Sequence, residues 1–464
     1  MNFNTNDTIV ALATAHGTGA IAVIRLSGPS SVVFAERYFF SLSLKKRSLS
    51  GSASGKVVLG VMAHQDVVVD EVLVTVFRQP HSYTGQDCVE VSCHGSLFIQ
   101  QQLLQLFLSA GARMAGPGEF TMRAFLNGKL DLAQAEAVGD LIASNSPLSH
   151  QVAMQQMRGG FSSRIKLLRE HLLNFASLVE LELDFSEEDV EFANREDLYK
   201  LVNTISGVMT QLVNSFELGN VIKNGVPVAI VGRPNAGKST LLNVLLEDDR
   251  AIVSEIPGTT RDVIEDEMVI DGVLFRFIDT AGLRTTTDVI EQIGVNKAYE
   301  VMRKSAIIIY LFDAHEMSYG DLKNELDLLA TAIGTSHLQV VANKTDLENE
   351  QELRSEYAGY PGMLFISAKD QRNIEELKHA LVQVFDARTH GATDTIVTNA
   401  RHANALRNAL KALGTVQEGL SKNIPGDLLA LDIRYALDEL GHITGQVTSN
   451  QLLENIFTRF CIGK

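Results

Sequence analysis

No run of 18 apolar residues occurs in this 464-residue chain, so no segment has the length of a membrane-spanning helix. The opening Met1-Asn-Phe-Asn-Thr-Asn-Asp7 is polar and carries no positive charge, unlike a secretory leader. Cysteine is scarce. Three residues without CxxC spacing argue against a disulfide scaffold or a zinc site and suit a reducing cytoplasm. Cys88, Cys93 and His94 lie close together, but on an alternating strand pattern with Val89 and Val91, and read as structural rather than metal-binding. Positive charge is also short. Forty Lys and Arg against 56 Asp and Glu leave a net charge of −16, the wrong sign for a protein whose main affinity comes from nucleic-acid phosphates. An RNA substrate would need a local basic patch or a partner. What remains, 45% hydrophobic and 21% charged, is ordinary for a soluble globular protein. The length suits about two to four domains.

Against this background one segment carries chemistry. Gly232-Arg-Pro-Asn-Ala-Gly-Lys-Ser239 is a complete GxxxxGK[ST] phosphate loop, preceded by the apolar run Val226–Val231 and followed by a helix-like start from Thr240. In that context the backbone of Asn235, Ala236 and Gly237 can cradle phosphates. Lys238 can reach the β- and γ-phosphates, and the Ser239 hydroxyl can hold Mg2+. Three further motifs follow in order. Asp279, Thr280, Ala281 and Gly282 form a DxxG after the strand-like Val273–Ile278. Asn343, Lys344, Thr345 and Asp346 end the apolar run Leu338–Ala342. The Asp346 carboxylate can accept from the guanine ring N–H and exocyclic amine, so the wrong base would leave a buried charge unpaired. Ser367, Ala368 and Lys369 fit the backbone motif that meets the guanine carbonyl. Between the first two motifs lies a switch-like loop of Ser254, Glu255, Ile256, Pro257, Gly258, Thr259 and Thr260, with Thr260 as a second Mg2+ ligand. Order and spacing describe a Ras-like GTPase module of roughly 160 residues, a normal domain size.

In Ras-type proteins a Gln after DxxG orients the attacking water; here that place is Leu283. Either hydrolysis is very slow, or water and positive charge are supplied from elsewhere. Asn235 has two readings. It only shapes the loop, or its amide oxygen, with carbonyls of the 254–260 loop, holds a monovalent cation that stabilises transition-state charge.

Residues 1–125 read as strands with glycine turns, interrupted by a helix over Ser96–Ala110. Residues 129–220 and the stretches Ala400–Leu420, Asp427–Gly441 and Asn450–Phe460 have helical spacing. Asn224-Gly225 marks the joint to the GTPase module, and the acidic Glu187–Glu191 reads as a solvated turn. The expected domains are therefore 1–126, a helical part 127–223, the GTPase module 224–386, and a second helical part 387–464. The two helical parts are expected to pack together around the inserted GTPase domain.

Four stretches then carry a resemblance. They are Asp7–Val10 with Ala20–Gly28, Ser82–Glu90 with Cys93–Gly95, Pro117–Val138, and the final Phe460-Cys-Ile-Gly-Lys464. End to end, the chain resembles the MnmE (TrmE) family of tRNA-modification GTPases, with Gln86 where the family usually has Glu. The resemblance implies a multi-domain α/β protein whose α+β N-terminal domain is like folate-binding aminomethyltransferases, dimerises and binds a folate one-carbon donor of the 5-formyl- or methylene-tetrahydrofolate type. It implies Arg25, Glu90, Lys129 and Lys464 as folate contacts; a carboxylate suits the pterin donor edge and cations suit the glutamate tail. It implies a homodimer, a heterotetramer with the flavoprotein MnmG (GidA), and tRNA bound through that complex in the cytoplasm. It further implies a K+ site at Asn235, Ser254, Ile256 and Thr259, and Glu291 in place of the absent Gln. Cys461 is left with two roles, a nucleophile toward the uracil ring or a supporting element of the folate site. A ribosome-assembly GTPase and a nucleotide-regulated scaffold are the competing readings. No clearly basic RNA-binding appendage favours the first, whereas the missing Gln suits the second. Glu291→Ala should cut kcat about 10²-fold or more with GTP binding little changed; stopped-flow hydrolysis with parallel binding titrations checks this, and a near-normal kcat would remove Glu291 from the role.

Overall fold

Side chains in a strand alternate between faces, and the N-terminal strands use that alternation to bury one side of a sheet. The computed structural model describes residues 6–184, 195–247, 266–278, 300–330, 333, 336–347, 349–389, 395–422 and 424–464. Its strands begin with β1 (Ile9–Leu12), β2 (Ile21–Ser27), β3 (Phe39–Phe40), β4 (Val57–His64), β5 (Val67–Phe77), β6 (Cys88–His94) and β7 (Arg113–Met114). They form one sheet in the order β3-β4-β5-β6-β2-β1-β7, antiparallel except for the parallel β1–β7 pair. Helices α1 (Ser31–Tyr38) and α2 (Leu97–Ser109) cover one face. There Ala22, Ile24, Leu26, Val89 and Val91 meet Val32, Tyr38, Leu103 and Phe107 in a single core. The register of β2 against β6 sets Arg25 opposite Glu90.

Helices α3 (Glu119–Leu126), α4 (Leu132–Ile142), α5 (Pro147–Met157), α6 (Gly160–Asp184) and α7 (Arg195–Asn224) follow. The acidic segment 187–191 lies outside the described residues. The chain forms two compact units. Residues 1–142, 154–205 and 408–464 make the first, and residues 143–153 and 206–407 the second.

Within the second unit, β8 (Val226–Val231) leads into α8 (Lys238–Glu247). Then come β9 (Asp266–Ile270), β10 (Val273–Phe277), β11 (Ile307–Asp313), α9 (Tyr319–Ala330), β12 (His337–Asn343), α10 (Glu350–Glu356), β13 (Leu364–Phe365) and α11 (Ile374–Thr389). The sheet order is β13-β12-β11-β8-β10-β9, parallel except for the β9–β10 hairpin. A parallel sheet buried on both faces needs continuous apolar runs, and β11 is buried at every position. The carboxyl ends of these strands open toward the phosphate and base loops, where ligands of open α/β sheets bind.

The chain re-enters the first unit along α12 (Ala400–Ser421) and continues through α13 (Gly426–Thr444) and α14 (Asn450–Phe457). Helices α6 and α13 pack along each other, and Arg169 Nε donates to the Leu437 carbonyl at 3.3 Å. The expected packing of the two flanking helical stretches is thus present. The GTPase module is inserted into a helical domain that an α+β domain precedes. Helix α14 seats Leu453 and Phe457 against Met122 of α3 and Leu132 of α4, which brings the chain's last residues to α3. Among the described residues no helix is long and apolar enough to cross a membrane.

A buried ion network ties the N-terminal segment to α3. Arg123 is 1% exposed and donates to the Asp7 carbonyl at 2.8 Å, to the Asp7 and Glu119 carboxylates, and to Gln86 Oε1 at 3.2 Å. Arg113 joins both carboxylates from the solvent side. Burial pushes the Asp7 and Glu119 carboxyls up, but the bonds from Arg113 and Arg123 outweigh it, and both titrate below the ordinary range. Groups with depressed folded pKa values stabilise fully above their unfolded values, near about 4, and lose that contribution as pH falls through the folded ones. Arg123→Met should cost about 3–5 kcal/mol at pH 7 by leaving buried carboxylates short of a partner. Urea unfolding at pH 7 and at about pH 3 should find the variant's deficit smaller in acid, because the wild type loses the same interaction there.

Candidate functional site

The phosphate loop leaves β8 and turns sharply before α8, with Asn235 at φ 63° and Gly237 at φ 97°. A Cβ at Gly237 would sit 2.3 Å from the Asn343 side-chain nitrogen, so only glycine lets the base motif approach the loop this closely. That approach carries a bond: Asn343 Nδ2 donates to the Ala236 carbonyl at 2.8 Å. The same amide accepts from Ala368 N–H at 3.0 Å through Oδ1. One buried side chain therefore joins the phosphate loop, the NKTD motif and the SAK motif.

Lys238 donates to the carbonyls of Gly232 at 2.8 Å and Arg233 at 2.7 Å. Burial holds its ammonium below the ordinary lysine value, a cost that a polyanion in the cradle would relieve. Ser239 and Thr240 lie in the first turn of α8, whose N-terminal N–H groups favour phosphate. At the base end, the Ser367 hydroxyl donates to Asp346 Oδ1 at 2.6 Å. That bond, chiefly, lowers the Asp346 carboxyl, with Lys369 among the weaker contributors. The carboxylate is thus ionised and oriented before any base arrives. Thr345 N–H donates to the Ile366 carbonyl at 3.2 Å. Lys344 adopts φ 65° and pairs with Asp313 Oδ2 at 2.5 Å. Asp313 had no role in the motif reading, although an acid closing the buried run Ile307–Phe312 was a visible signal.

Asn235, Ala236, Gly237, Lys238 and Ser239 are thus brought near Asn343, Ala368 and, through the last two, Asp346 and Ser367. Ser254, Glu255, Ile256, Pro257, Gly258, Thr259, Thr260, Asp279, Thr280, Ala281, Gly282, Leu283 and Glu291 lie outside the described residues. Two cavities of about 500 and 400 Å3 belong to the opposite end of this sheet, against Val226, Ile307 and Val273 at the strand starts, and are not the nucleotide site.

The first unit holds a second polar centre. Arg25 Nε donates to Glu90 Oε1 at 2.9 Å, and its guanidinium lies 5.3 Å from the Tyr83 ring centroid and 5.7 Å from that of Phe120. The C-terminal segment closes over it. Arg25 Nη1 donates to the Gly463 carbonyl at 3.4 Å, Phe120 N–H donates to the Lys464 carbonyl at 3.1 Å, and Gly118 N–H donates to that of Cys461 at 3.3 Å. Gly463 has φ 98°, and a Cβ there would lie 2.2 Å from the Leu12 carbonyl oxygen. Burial first, and then Arg25, hold the Lys464 ammonium below its ordinary value. Arg25, Glu90 and Lys464 are therefore brought together. Lys129 instead packs its stem near Gly85, where a Cβ would meet it at 3.2 Å, and no contact with the other three is seen among the described residues. Cys461 is exposed and reaches this centre through its backbone. Cys88 and Cys93 are buried. Burial, helped by Asp70, pushes the Cys93 thiol up to about 11, which makes it unreactive at neutral pH. Tyr83 and Phe120 were missed as individual residues, though both sit inside the signature stretches.

Comparison with known proteins decides the family. Residues 8–129 match the family described as GTP-binding protein TrmE N-terminus, and residues 132–461 match the MnmE helical domain. The tRNA modification GTPase MnmE of Flavobacterium psychrophilum is 52% identical over 461 residues, covering 99% of each chain. That of Cytophaga hutchinsonii is 54% identical, covering 99% of this chain and 98% of its own. The chain belongs to the MnmE family of tRNA modification GTPases. It is accordingly a GTP hydrolase. Among solved structures, the FeoB G-domain from Methanococcus jannaschii aligns over 35% of this chain and 98% of its own at 25% identity. Its TM-score is 0.25.

With Asp346 ionised and held by Ser367, Asp346→Asn should weaken GTP binding and shift base choice toward xanthine, because an amide can donate to the xanthine carbonyl. Losing a charged hydrogen-bond partner in such a site is worth about 1.5–3 kcal/mol, or roughly 10- to 100-fold in Kd. Competition of GTP and XTP for the variant checks it, and an unchanged GTP affinity would show that NKTD does not read the base.

Proposed function

We propose that this GTPase drives the addition of a carboxymethylaminomethyl or aminomethyl group at carbon five of the wobble uridine in certain tRNAs, with the flavoprotein MnmG (GidA) and a folate one-carbon donor. The observation that supports this over a bare GTPase is the Arg25–Glu90 pair, flanked by Tyr83 and Phe120 and closed over by Gly463 and Lys464. It offers a carboxylate for a pterin donor edge, two aromatic walls and cations for an acidic tail, the set of groups that a reduced folate requires. The chain serves as a homodimer through its N-terminal domain and as a heterotetramer with MnmG, reaching cytoplasmic tRNA through that complex. This accommodates the net charge of −16. Its functional divisions are residues 1–126, 127–223, 224–386 and 387–464.

At the nucleotide, Lys238, placed by the carbonyls of Gly232 and Arg233, reaches β- and γ-phosphate oxygens. Asp346, held by Ser367, accepts from guanine, and the backbone of Ala368 and Lys369 meets its carbonyl. Ser239 and Thr260 would hold Mg2+, which neutralises phosphate charge. Asn235, Ser254, Ile256 and Thr259 would hold K+, which stabilises transition-state charge where an arginine finger is missing. The left-handed backbone of Asn235 lets an amide side chain leave the loop at this point. Glu291 orients the attacking water. In the first unit, Arg25, Glu90, Lys129 and Lys464 bind and orient the folate, which supplies one carbon, with Cys461 in support.

Potassium should accelerate GTP hydrolysis about 10-fold or more over sodium, and Asn235→Ala should abolish the difference while keeping much of the nucleotide affinity. Equal turnover in the two salts would remove the cation site. The function itself is tested by mass spectrometry of wobble uridines in a deletion strain complemented with wild type or Arg25→Ala. Loss of the modification in the deletion strain and with Arg25→Ala is expected. Full modification in the deletion strain, with altered ribosomal-subunit profiles, would favour a ribosome-assembly GTPase instead.

A further inference from the structure

The phosphate loop has an anchor that no nucleotide motif accounts for. Arg233, its second residue, donates from Nε to Glu325 Oε1 on α9 at 2.5 Å, and its Nη2 pairs with the same oxygen. The other carboxylate oxygen accepts from the Tyr310 hydroxyl of β11. Tyr310 is 3% exposed and stacks on Phe312 with ring centroids 6.5 Å apart. Burial, then the bond to Glu325, raise the Tyr310 phenol well above its ordinary value, so it stays a donor across the neutral range.

An exposed ion pair between two free side chains contributes little, because ordering both offsets the attraction. This one differs, since a buried donor on a central strand has already ordered the carboxylate. The residue held by its side chain is also the one whose carbonyl accepts from Lys238 at 2.7 Å. We infer that Glu325 and Tyr310 are positioning residues for the phosphate loop: through Arg233 they hold its first half, and with it the Lys238 ammonium, in place for the phosphates. A loop freed from this anchor presents its carbonyls and its lysine in a wider range of positions. Nucleotide held by it dissociates faster.

The test uses the full chain and a fluorescent GDP, with GTP turnover and thermal unfolding on the same preparations. Arg233→Ala and Glu325→Ala should each speed GDP release and raise KM for GTP about 10-fold, with kcat changed much less, and the double variant should be no worse than either single. Tyr310→Phe should speed release by a smaller factor in the wild-type background and not at all beside Arg233→Ala. Should Glu325→Ala not fold, Glu325→Gln, which keeps the shape and loses the charge, takes its place in the same cycle. Single effects that multiply in the double variant, or GDP release unchanged at native Tm, would overturn the assignment. The readout needs only protein and guanine nucleotide, so it stands or falls independently of the tRNA chemistry.

Discussion

The nucleotide site depends on the two hydrogen bonds of one buried amide. Asn343 gives one to the phosphate loop at Ala236 and takes one from Ala368. The three segments it joins are far apart in sequence and have no continuous secondary structure between them, so this bridge sets where the base end lies relative to the phosphate end. An amide can make both bonds because it carries a donor and an acceptor on one rigid plane. Gly237 is the complement of that bridge: any Cβ there would occupy the space of the Asn343 nitrogen. The oriented Asp346 carboxylate and the loop lysine are useful only because this spacing is already set.

The first unit relies on a similar device with the chain's last residues. Helix α14 docks by apolar packing on α3 and α4, and the segment beyond it is stitched by backbone bonds to Gly118 and Phe120. Gly463 passes so close to β1 that it must be glycine, and its carbonyl meets Arg25. In the same unit the Arg123 network fixes Asp7, Gln86 and Glu119. Gln86 has a defined place in this network. Its amide oxygen still accepts from Arg123, while Asp7 and Glu119 already supply the negative charge that balances the guanidinium.

Much of this was legible beforehand. The strands β1, β2, β4, β5 and β6 and the helices α2, α12 and α13 follow apolar periodicity to within a few residues, since period and burial are local properties of the chain. The phosphate loop and the two base-end motifs stand out in the sequence because phosphate and guanine recognition rely on backbone turns and on residues adjacent in sequence, whereas Asp279–Gly282 lies outside the described residues. Lys129 illustrates the limit. It stands in the longest signature stretch, and only the folded chain sets its stem beside Gly85 of another such stretch. Short elements such as β3 and β7 owe their pairing to neighbours in the sheet, and no local pattern marks them.

What the chain's sequence determined by itself is the set of parts: a phosphate loop, a guanine reader, an α+β amino-terminal half and helical stretches on either side of the GTPase module. Only the tertiary structure decided which distant side chains share a charge or a hydrogen bond. Glu325 meets Arg233 across 92 positions while also accepting from Tyr310, and the Gly463 carbonyl meets Arg25 across 438. Periodicity encodes which face of an element is buried. It does not encode the rotamer, register and close approach that let a particular oxygen accept from a particular nitrogen, and those arise only when packed elements exclude water and leave each buried polar group one available partner.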